Sequence, residues 1–406
     1  MQRIVQKFGG TSVGSISKII KACKLIQKEF ENGNQVVVVS SAMSGETNKL
    51  VNLAENFDVS INKKEYDMIV STGEQISIAL IAMALKRIGI TAKPLLGWQV
   101  PIIGSSSHTE AKINKIDDKK ILEIIKNKEI PIIAGFQGVD KNNNIVTFGR
   151  GGSDTSAVAI AAAISADRCD IYTDVDGVYT CDPRMVIKAK KLERISYEEM
   201  LEFASLGAKV LQTRSVEMAM RHNVTVQVLS SQTGEKGTFL TKEDKKMENE
   251  LVSGIAYTKD EAKITLINIL DNPGVAAKIF VPLSKNNINV DMIVQTGSEN
   301  GKNINFTYTV SRKDLKKAIL IMEDNKNNIN FERIITNDSL AKISIIGLGM
   351  RTHTGVADKM FSALASENIN IHVISTSEIK ISVLINEELI KKALEALHTK
   401  FKLDSY

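Results

Sequence analysis

Residues 7–14 read Lys-Phe-Gly-Gly-Thr-Ser-Val-Gly (KFGGTSVG). They stand between the short apolar run Ile4-Val5 and a stretch in which Ile16, Ile19, Ile20, Cys23, Ile26 and Phe30 mark one face of a helix, with Gly33 where a C-terminal cap belongs. A lysine at a strand end, two glycines that permit backbone turns closed to other residues, and hydroxyls leading into a helix make an anion cradle. Amide N–H groups at a helix start face phosphate oxygens, and the lysine adds a mobile positive charge. No GxxxxGK[ST] pattern occurs in the chain, so the cradle is not of the Walker type.

Outward from this stretch, strand-like and helix-like segments alternate through residue 240. Val36–Val39 is an unbroken β-branched run, as expected of a strand buried on both faces. Further strands are predicted at Ile130–Ala134, Asp170–Thr173 and Val224–Leu229, and a surface hairpin at 140–149. Helices are predicted around Lys63–Lys86, Asp117–Lys128, Ser153–Ala166, Tyr197–Ala204 and Lys209–His222. The alternation predicts an α/β domain on a mostly parallel sheet.

Seven of the ten residues 241–250 (TKEDKKMENE) are charged, which marks a linker. Beyond it, 274–293 (GVAAKIFVPLSKNNINVDMI) aligns without gaps to 355–374 (GVADKMFSALASENINIHVI), with ten of twenty positions identical. Each copy follows an Ala-Lys-Ile strand, at 262–264 and 341–343, and reads strand, helix, strand, strand, helix, strand. Repeats this short bury little surface alone, so the copies are expected to pack on each other. The domains predicted are 1–240, 251–335 and 336–406, with the linker at 241–250.

With 406 residues, 43% hydrophobic and 24% charged, the composition is that of an ordinary globular protein of two or three units. A net charge of +5 on scattered lysines, without a basic stripe, gives no support to nucleic-acid binding. The longest apolar runs, Ile76–Leu85 and Ala157–Ala163, are too short to span a membrane. Cys23, Cys169 and Cys181 lie far apart, as suits reduced thiols in the cytoplasm rather than a disulfide framework. The N-terminus enters a strand at once, leaving no room for a signal peptide. No metal-ligand spacing appears, and the five histidines (108, 222, 353, 372, 398) are isolated and read as structural or surface residues.

Four more constellations accompany the first: SSAMSGETNKL (40–50), STGEQIS (71–77), FGRGGSDTSA (148–157) and YTDVDGVYTCDPR (172–184). Taken in order with KFGGTSVG, they resemble aspartate kinase of the amino-acid kinase superfamily, end to end. The repeat resembles the tandem ACT domains of that family, and ISTSEIKISVLI (374–385) is particularly similar. The resemblance implies an open sheet with helices on both faces followed by two α+β ACT domains of βαββαβ order. It implies phosphorylation of the L-aspartate side chain by ATP with Mg²⁺, the first step toward lysine, threonine and methionine.

Position by position, the resemblance casts Lys7, Asp154 and Lys209 (in GAKVL, 207–211) as catalytic. Phe8, Gly9, Gly10, Ser41, Thr173, Asp174, Tyr179 and Arg184 join Lys7 around ATP. Thr47, Glu74, Arg150, Gly151, Gly152 and Ser153 join Asp154 around aspartate, with Arg150 on the α-carboxylate and Glu74 on the α-ammonium group. An inhibitor, L-lysine and/or L-threonine, is expected between the ACT domains. Its expected contacts are Asp271, Gly274, Val275, Ala276, Val290, Asp291 and Gln295 in one copy, and Gly355, Val356, Ile369, Asn370, Thr376 and Ser377 in the other. Homo-oligomers through the ACT domains are expected, or an α2β2 assembly whose small subunit starts at Met247. Cys181 and LQTRS (211–215) depart from the family pattern, and Cys181 is expected to bring a thiol near the nucleotide.

The bare chemistry agrees. A carboxylate acceptor is already ionised near neutral pH, so transfer demands positioning and charge neutralisation rather than a general base. Other members of the superfamily, such as a UMP or acetylglutamate kinase, would not explain Glu74 with Arg150, nor the repeat. An amino-acid sensor with an inactive kinase-like half is the alternative from another class, and the intact Lys7, Asp154, Lys209, Arg150 and Glu74 speak against it. GLGMRT (347–352) mimics a dinucleotide fingerprint but carries Thr352 at the sixth position, and the repeat already accounts for it.

Overall fold

A computed structural model describes residues 1–207, 210–244, 247, 250–297 and 302–404. The chain divides into two compact units, 1–179 with 191–247, and 180–190 with 248–406.

The first unit runs β1 (Arg3–Phe8), α1 (Ile16–Glu31), β2 (Gln35–Ser40), α2 (Glu46–Ala54), α3 (Lys63–Val70), α4 (Thr72–Arg87), β3 (Ala92–Leu95), β4 (Ile102–Gly104), β5 (Ile113–Ile116), α5 (Lys119–Lys126), β6 (Ile130–Ala134), β7 (Gln137–Val139), β8 (Ile145–Thr147), α6 (Gly152–Ala163), β9 (Arg168–Thr173), β10 (Arg194–Ser196), α7 (Tyr197–Ser205), α8 (Thr213–His222), β11 (Val226–Ser230) and β12 (Thr238–Thr241). Eight strands form one sheet in the order β10-β12-β11-β9-β1-β2-β6-β3. From β11 across to β3 all neighbours are parallel, and β12 turns back antiparallel on β11. β5-β4-β7-β8 make a second, smaller sheet that contains the predicted hairpin.

Local chemistry explains the elements. The valines of β2 are buried on both faces, as a central parallel strand requires. Ser15 caps α1 by accepting from the Lys18 amide at 3.3 Å, and Gly33 leaves that helix at φ +81°. α6 is alanine-rich and buried from Gly152 through Ala161, so it carries no polar stripe. The predicted helix Lys63–Lys86 is two, α3 and α4, meeting at Ser71. Lys63–Arg87 holds an apolar window as long as a membrane span by length and composition alone, which the runs in the sequence did not suggest. Half of that window is buried inside the unit, where Ile78, Ile81 and Leu85 join the core.

The second unit is built on one six-stranded sheet. Its strands are β13 (Gly254–Leu270), β14 (Val290–Gly297), β15 (Asn303–Val310), β16 (Arg333–Ile346), β17 (Val373–Thr376) and β18 (Lys380–Asn386), ordered β14-β15-β13-β16-β18-β17. Helices Val275–Lys285 and Leu315–Asp324 belong to the first repeat, Val356–Ser366 and Ile390–Lys400 to the second. β13 and β16 are long because each serves both copies. Residues 263–267 of β13 pair with 333–337 of β16 in the first copy, while 254–258 pair with 342–346 beside the second. Val252 and Ile255 accordingly lie in the second core with Ile343, Val383, Leu394 and Leu397, whereas Ile264, Leu266, Phe306 and Tyr308 form the first. The strand 254–258 therefore completes the second copy's sheet although it precedes the first copy in the chain.

Segment 180–190 is the other surprise. Cys181 and Val186 are buried in the second core, and Thr180 Oγ1 lies 3.0 Å from His398 Nε2. This corrects the expectation that Cys181 brings a thiol near the nucleotide. It is packed among aliphatic side chains, and burial pushes it up to about 12.

Candidate active site

The C-terminal ends of β1, β2, β6 and β9 meet at one edge of the parallel sheet, where ligands of open α/β sheets collect. Lys7 lies on β1 and reaches the Asp154 carboxylate in the first turn of α6, and both residues are buried. The Gly9 amide donates to the Tyr172 carbonyl on β9 at 3.2 Å. After it comes a short 3-10 turn, Gly10–Ser12, and α1 starts only at residue 16.

The glycines of KFGGTSVG act differently from expectation. Neither Gly9 nor Gly10 has positive φ. A Cβ on Gly10 would lie 2.9 Å from the Ala42 carbonyl oxygen, so the residue is glycine because two loops touch there. In FGRGGSDTSA the conformational argument does hold: Gly149 and Gly151 sit at φ +70° and +73°.

The Ser41–Ser44 loop is fastened from two sides. The Ser41 and Ser44 amides donate to the Phe8 and Gly10 carbonyls at 3.0 and 3.1 Å. From α4, Ser77 Oγ donates to the Ser41 carbonyl at 2.7 Å, and Glu74 Oε1 accepts from the Ala42 amide at 3.0 Å. Glu74 is 3% exposed, and its Oε2 has no hydrogen-bond partner among the described residues. Burial pushes its carboxyl up to about 7, partly opposed by the Ala42 N–H. A buried carboxylate oxygen without a partner is costly, and a donor brought by a bound molecule would satisfy it.

α6 begins close by. A Cβ on Gly135, just after β6, would strike Ser153 at 2.8 Å, and first-turn amides such as those of Ser153 and Asp154 lack intrahelical acceptors. Gly152 is buried, Thr47 is half-buried in the first turn of α2, and Arg150 is exposed with no partner among the described residues. Lys209 lies outside the described residues.

The structure thus gathers Lys7, Phe8, Gly9, Gly10, Ser41, Glu74, Ser153 and Asp154 around one strand edge. Of the residues expected around the nucleotide, Thr173 ends β9 and takes the Ser231 amide on its carbonyl at 2.9 Å. Asp174 is exposed and accepts from the Thr173 hydroxyl. Tyr179 donates to Asp176 at 2.9 Å. Arg184 belongs to the second unit, where it pairs with Asp182 at 2.8 Å.

Sequence reasoning passed over the residues that hold the site together, among them Ser77, Gln137, Gln212 and Arg214. A Cβ on Gly151 would collide with Gln212 Cγ at 2.2 Å, and Arg214 Nη1 donates to the Phe148 carbonyl at 2.7 Å. Their signal was LQTRS, seen as a departure and not as an anchor.

In the second unit, Gly274 and Gly355 open equivalent helices at φ +92° and +82°, with open space where a Cβ would be. Gly355, Val356, Thr376 and Ser377 line a cleft of about 520 Å³ with Arg351 and His353. Asp271, Ala276, Gln295 and Asn370 are exposed, Val290 is half-buried, and Val275 and Ile369 are buried in the two cores. Asp291 is ion-paired with Lys342, which also holds Glu261 at 2.5 Å.

The amino acid kinase family matches residues 2–230, and an ACT domain family matches 264–326 and 343–401. An aspartate kinase of Pseudomonas putida is 52% identical over 406 residues, covering 100% of this chain and 98% of its own. The chain belongs to the aspartate kinase family. Aspartokinase 2 of Bacillus subtilis is 45% identical to it, with 100% of this chain and 99% of that one covered. Among solved structures, aspartokinase III of E. coli in complex with aspartate and ADP superposes with a TM-score of 0.79 at 26% identity, covering 98% of this chain and 99% of its own. The same enzyme with lysine and aspartate gives the same values. In this aspartate kinase, the gathered residues occupy the matched kinase region, and the cleft of the second unit falls in the ACT region.

Proposed function

We propose that the strand edge around Lys7 and Glu74 transfers the γ-phosphoryl group of MgATP to the β-carboxylate of L-aspartate. A carboxylate oxygen attacks phosphorus, the β,γ-bridging P–O bond breaks, and ADP and 4-phospho-L-aspartate leave. No proton moves, because the acceptor is already ionised. Lys7 offsets charge on the moving group while Asp154 fixes its position, and the loop amides and the α6 N-terminus face the phosphates. Among the described residues, no group of three or more Asp, Glu, His or Cys could hold a metal; Mg²⁺ enters with the nucleotide on its phosphates. The α-ammonium group pairs with Glu74 and the α-carboxylate with Arg150. The observation that carries this reading is the buried Glu74 Oε2, unpartnered among the described residues, on the side chain that holds the Ala42 amide of the loop packed against Gly10, together with the buried Lys7–Asp154 pair.

The related E. coli enzyme binds lysine together with aspartate. That supports an effector role for the ACT domains, with lysine, threonine or both as ligand at the helix starts Gly274 and Gly355. Assembly through the ACT domains, with or without a fragment started at Met247, and a cytoplasmic setting complete the proposal. The test is aspartate-dependent ADP release, repeated with lysine, threonine and their pair. Absence of ADP release from the intact chain would favour a sensor over an enzyme.

A further inference from the structure

Asp67 is fully buried on α3, one turn before Ser71, yet it carries three donors from outside its helix. Thr147 Oγ1 donates to Oδ1 at 2.5 Å, the Thr109 amide donates at 3.1–3.2 Å, and His108 Nδ1 lies 2.8 Å from Oδ2. Thr109 holds φ +71°, a region costly for a non-glycine residue, which persists only where its surroundings over-determine it. One turn later, the Ser71 carbonyl accepts from Gln137 Nε2 at 2.8 Å. Gln137 and Thr147 are themselves directly paired across β7 and β8. Two cross-links from one helix therefore converge on a single cross-strand pair.

The sequence positions of the two cross-links matter. Glu74 follows Ser71 by three residues on α4, and Arg150 follows Thr147 by three residues on the chain leaving β8. Between Thr147 and Arg150 the backbone is also held by the Ala111 amide on the Thr147 carbonyl (2.9 Å) and by Arg214 on the Phe148 carbonyl. We infer that Asp67, with Thr147, is a positioning residue that sets the spacing between Glu74 and Arg150 and so tunes the site to the backbone of an α-amino acid. This rests on the assignment of those two residues to the aspartate α-groups.

Asp67→Asn is isosteric but replaces one acceptor oxygen by an NH₂ group, so a donor now faces a donor. A small misplacement of binding groups costs on the order of 10- to 100-fold, and that rise is expected in the KM for aspartate, with the KM for ATP unchanged. Thr147→Val should act in the same direction and Thr147→Ser should restore the wild-type value, a rescue that decides the matter if Asp67→Asn does not fold. Glu74→Gln and Arg150→Ala are measured alongside. If these raise the aspartate KM while folded Thr147→Val and Asp67→Asn leave it unchanged, or raise both KM values equally, the positioning role is overturned and the site assignment stands. If Glu74→Gln and Arg150→Ala leave it unchanged, the assignment falls and the positioning role with it.

Discussion

Lys7 and Asp154 form a buried ion pair that joins the end of β1 to the first turn of α6. Holding two charges out of water is unfavourable unless each is well matched, so the pair keeps the Lys7 ammonium in place and removing either partner strands the other. Lys7→Ala should lower turnover about 100- to 1,000-fold, the usual effect of losing a transition-state charge contact. Aspartate affinity by isothermal titration should stay near wild type. Lys7→Arg keeps the charge and serves as the folded control. A Lys7→Ala enzyme with near-normal turnover would remove Lys7 from the chemistry.

Glu74 makes the pH dependence specific. Its carboxyl stands at about 7 in the ligand-free protein, and only the ionised form attracts an ammonium group. As pH falls below about 7, kcat/KM for aspartate should therefore fall by up to tenfold per unit, and Glu74→Gln should lack this limb. The stability sign runs the other way. The folded state binds this proton more tightly than the unfolded chain, so the group favours folding at low pH, and that contribution is lost as pH rises from 4.5 through about 7. Melting of ligand-free wild type and Glu74→Gln across this window measures it.

Arg150 is exposed and has no partner among the described residues, so truncating it leaves no described buried group without a partner. Arg150→Ala should keep the wild-type melting temperature while sharply raising the KM for aspartate. Equal rises for aspartate and ATP would argue against an α-carboxylate contact.

Lys342 is 6% exposed between Glu261 and Asp291, and removing it strands Glu261, which is 5% exposed. Burial already pushes Glu261 up, against the pull of Lys342. Lys342→Ala should cost about 3–5 kcal/mol, seen in denaturant unfolding, and adding Glu261→Gln should recover part of it. Additive losses would show that the pair is not coupled.

The cleft beside Gly355 bears on regulation. Ser377→Trp should relieve inhibition by lysine or threonine, and Asp271→Trp, in the turn before Gly274 that corresponds to Thr352 before Gly355, tests the first copy, with turnover in the absence of effector nearly unchanged. A ligand shifts an equilibrium only through differential affinity, so blocking its site removes the shift and not the activity. If neither amino acid inhibits the wild-type enzyme, the ACT pair is an assembly module.

Elements whose residues answer to local physics were legible in the sequence. Val36–Val39 and Ile130–Ala134 are strands because β-branched runs suit burial on both faces. The repeat, too, showed itself by identity alone. What escaped depends on contacts between distant residues. Asp67 and Thr147 are 80 positions apart, and neither sits in a recognisable motif. Strand 254–258 looked like the start of the first repeat because it precedes it, but its partners at 342–346 come much later in the chain. Gly10 was noticed for the wrong reason, since backbone freedom and close approach leave the same mark in a sequence. His108 looked isolated until folding placed it against Asp67.

The excursion at 180–190 bears on how such enzymes can be recombined. The chain crosses between its units at 179/180, 190/191 and 247/248, so the effector half is not a cassette with one splice point. A chimera joined only at 247/248 would carry Cys181 and Val186 from one parent into an aliphatic core built by the other. Exchange of regulatory specificity between relatives then requires swapping both segments together, and the eleven-residue piece travels with the domain that buries it rather than with the one that flanks it.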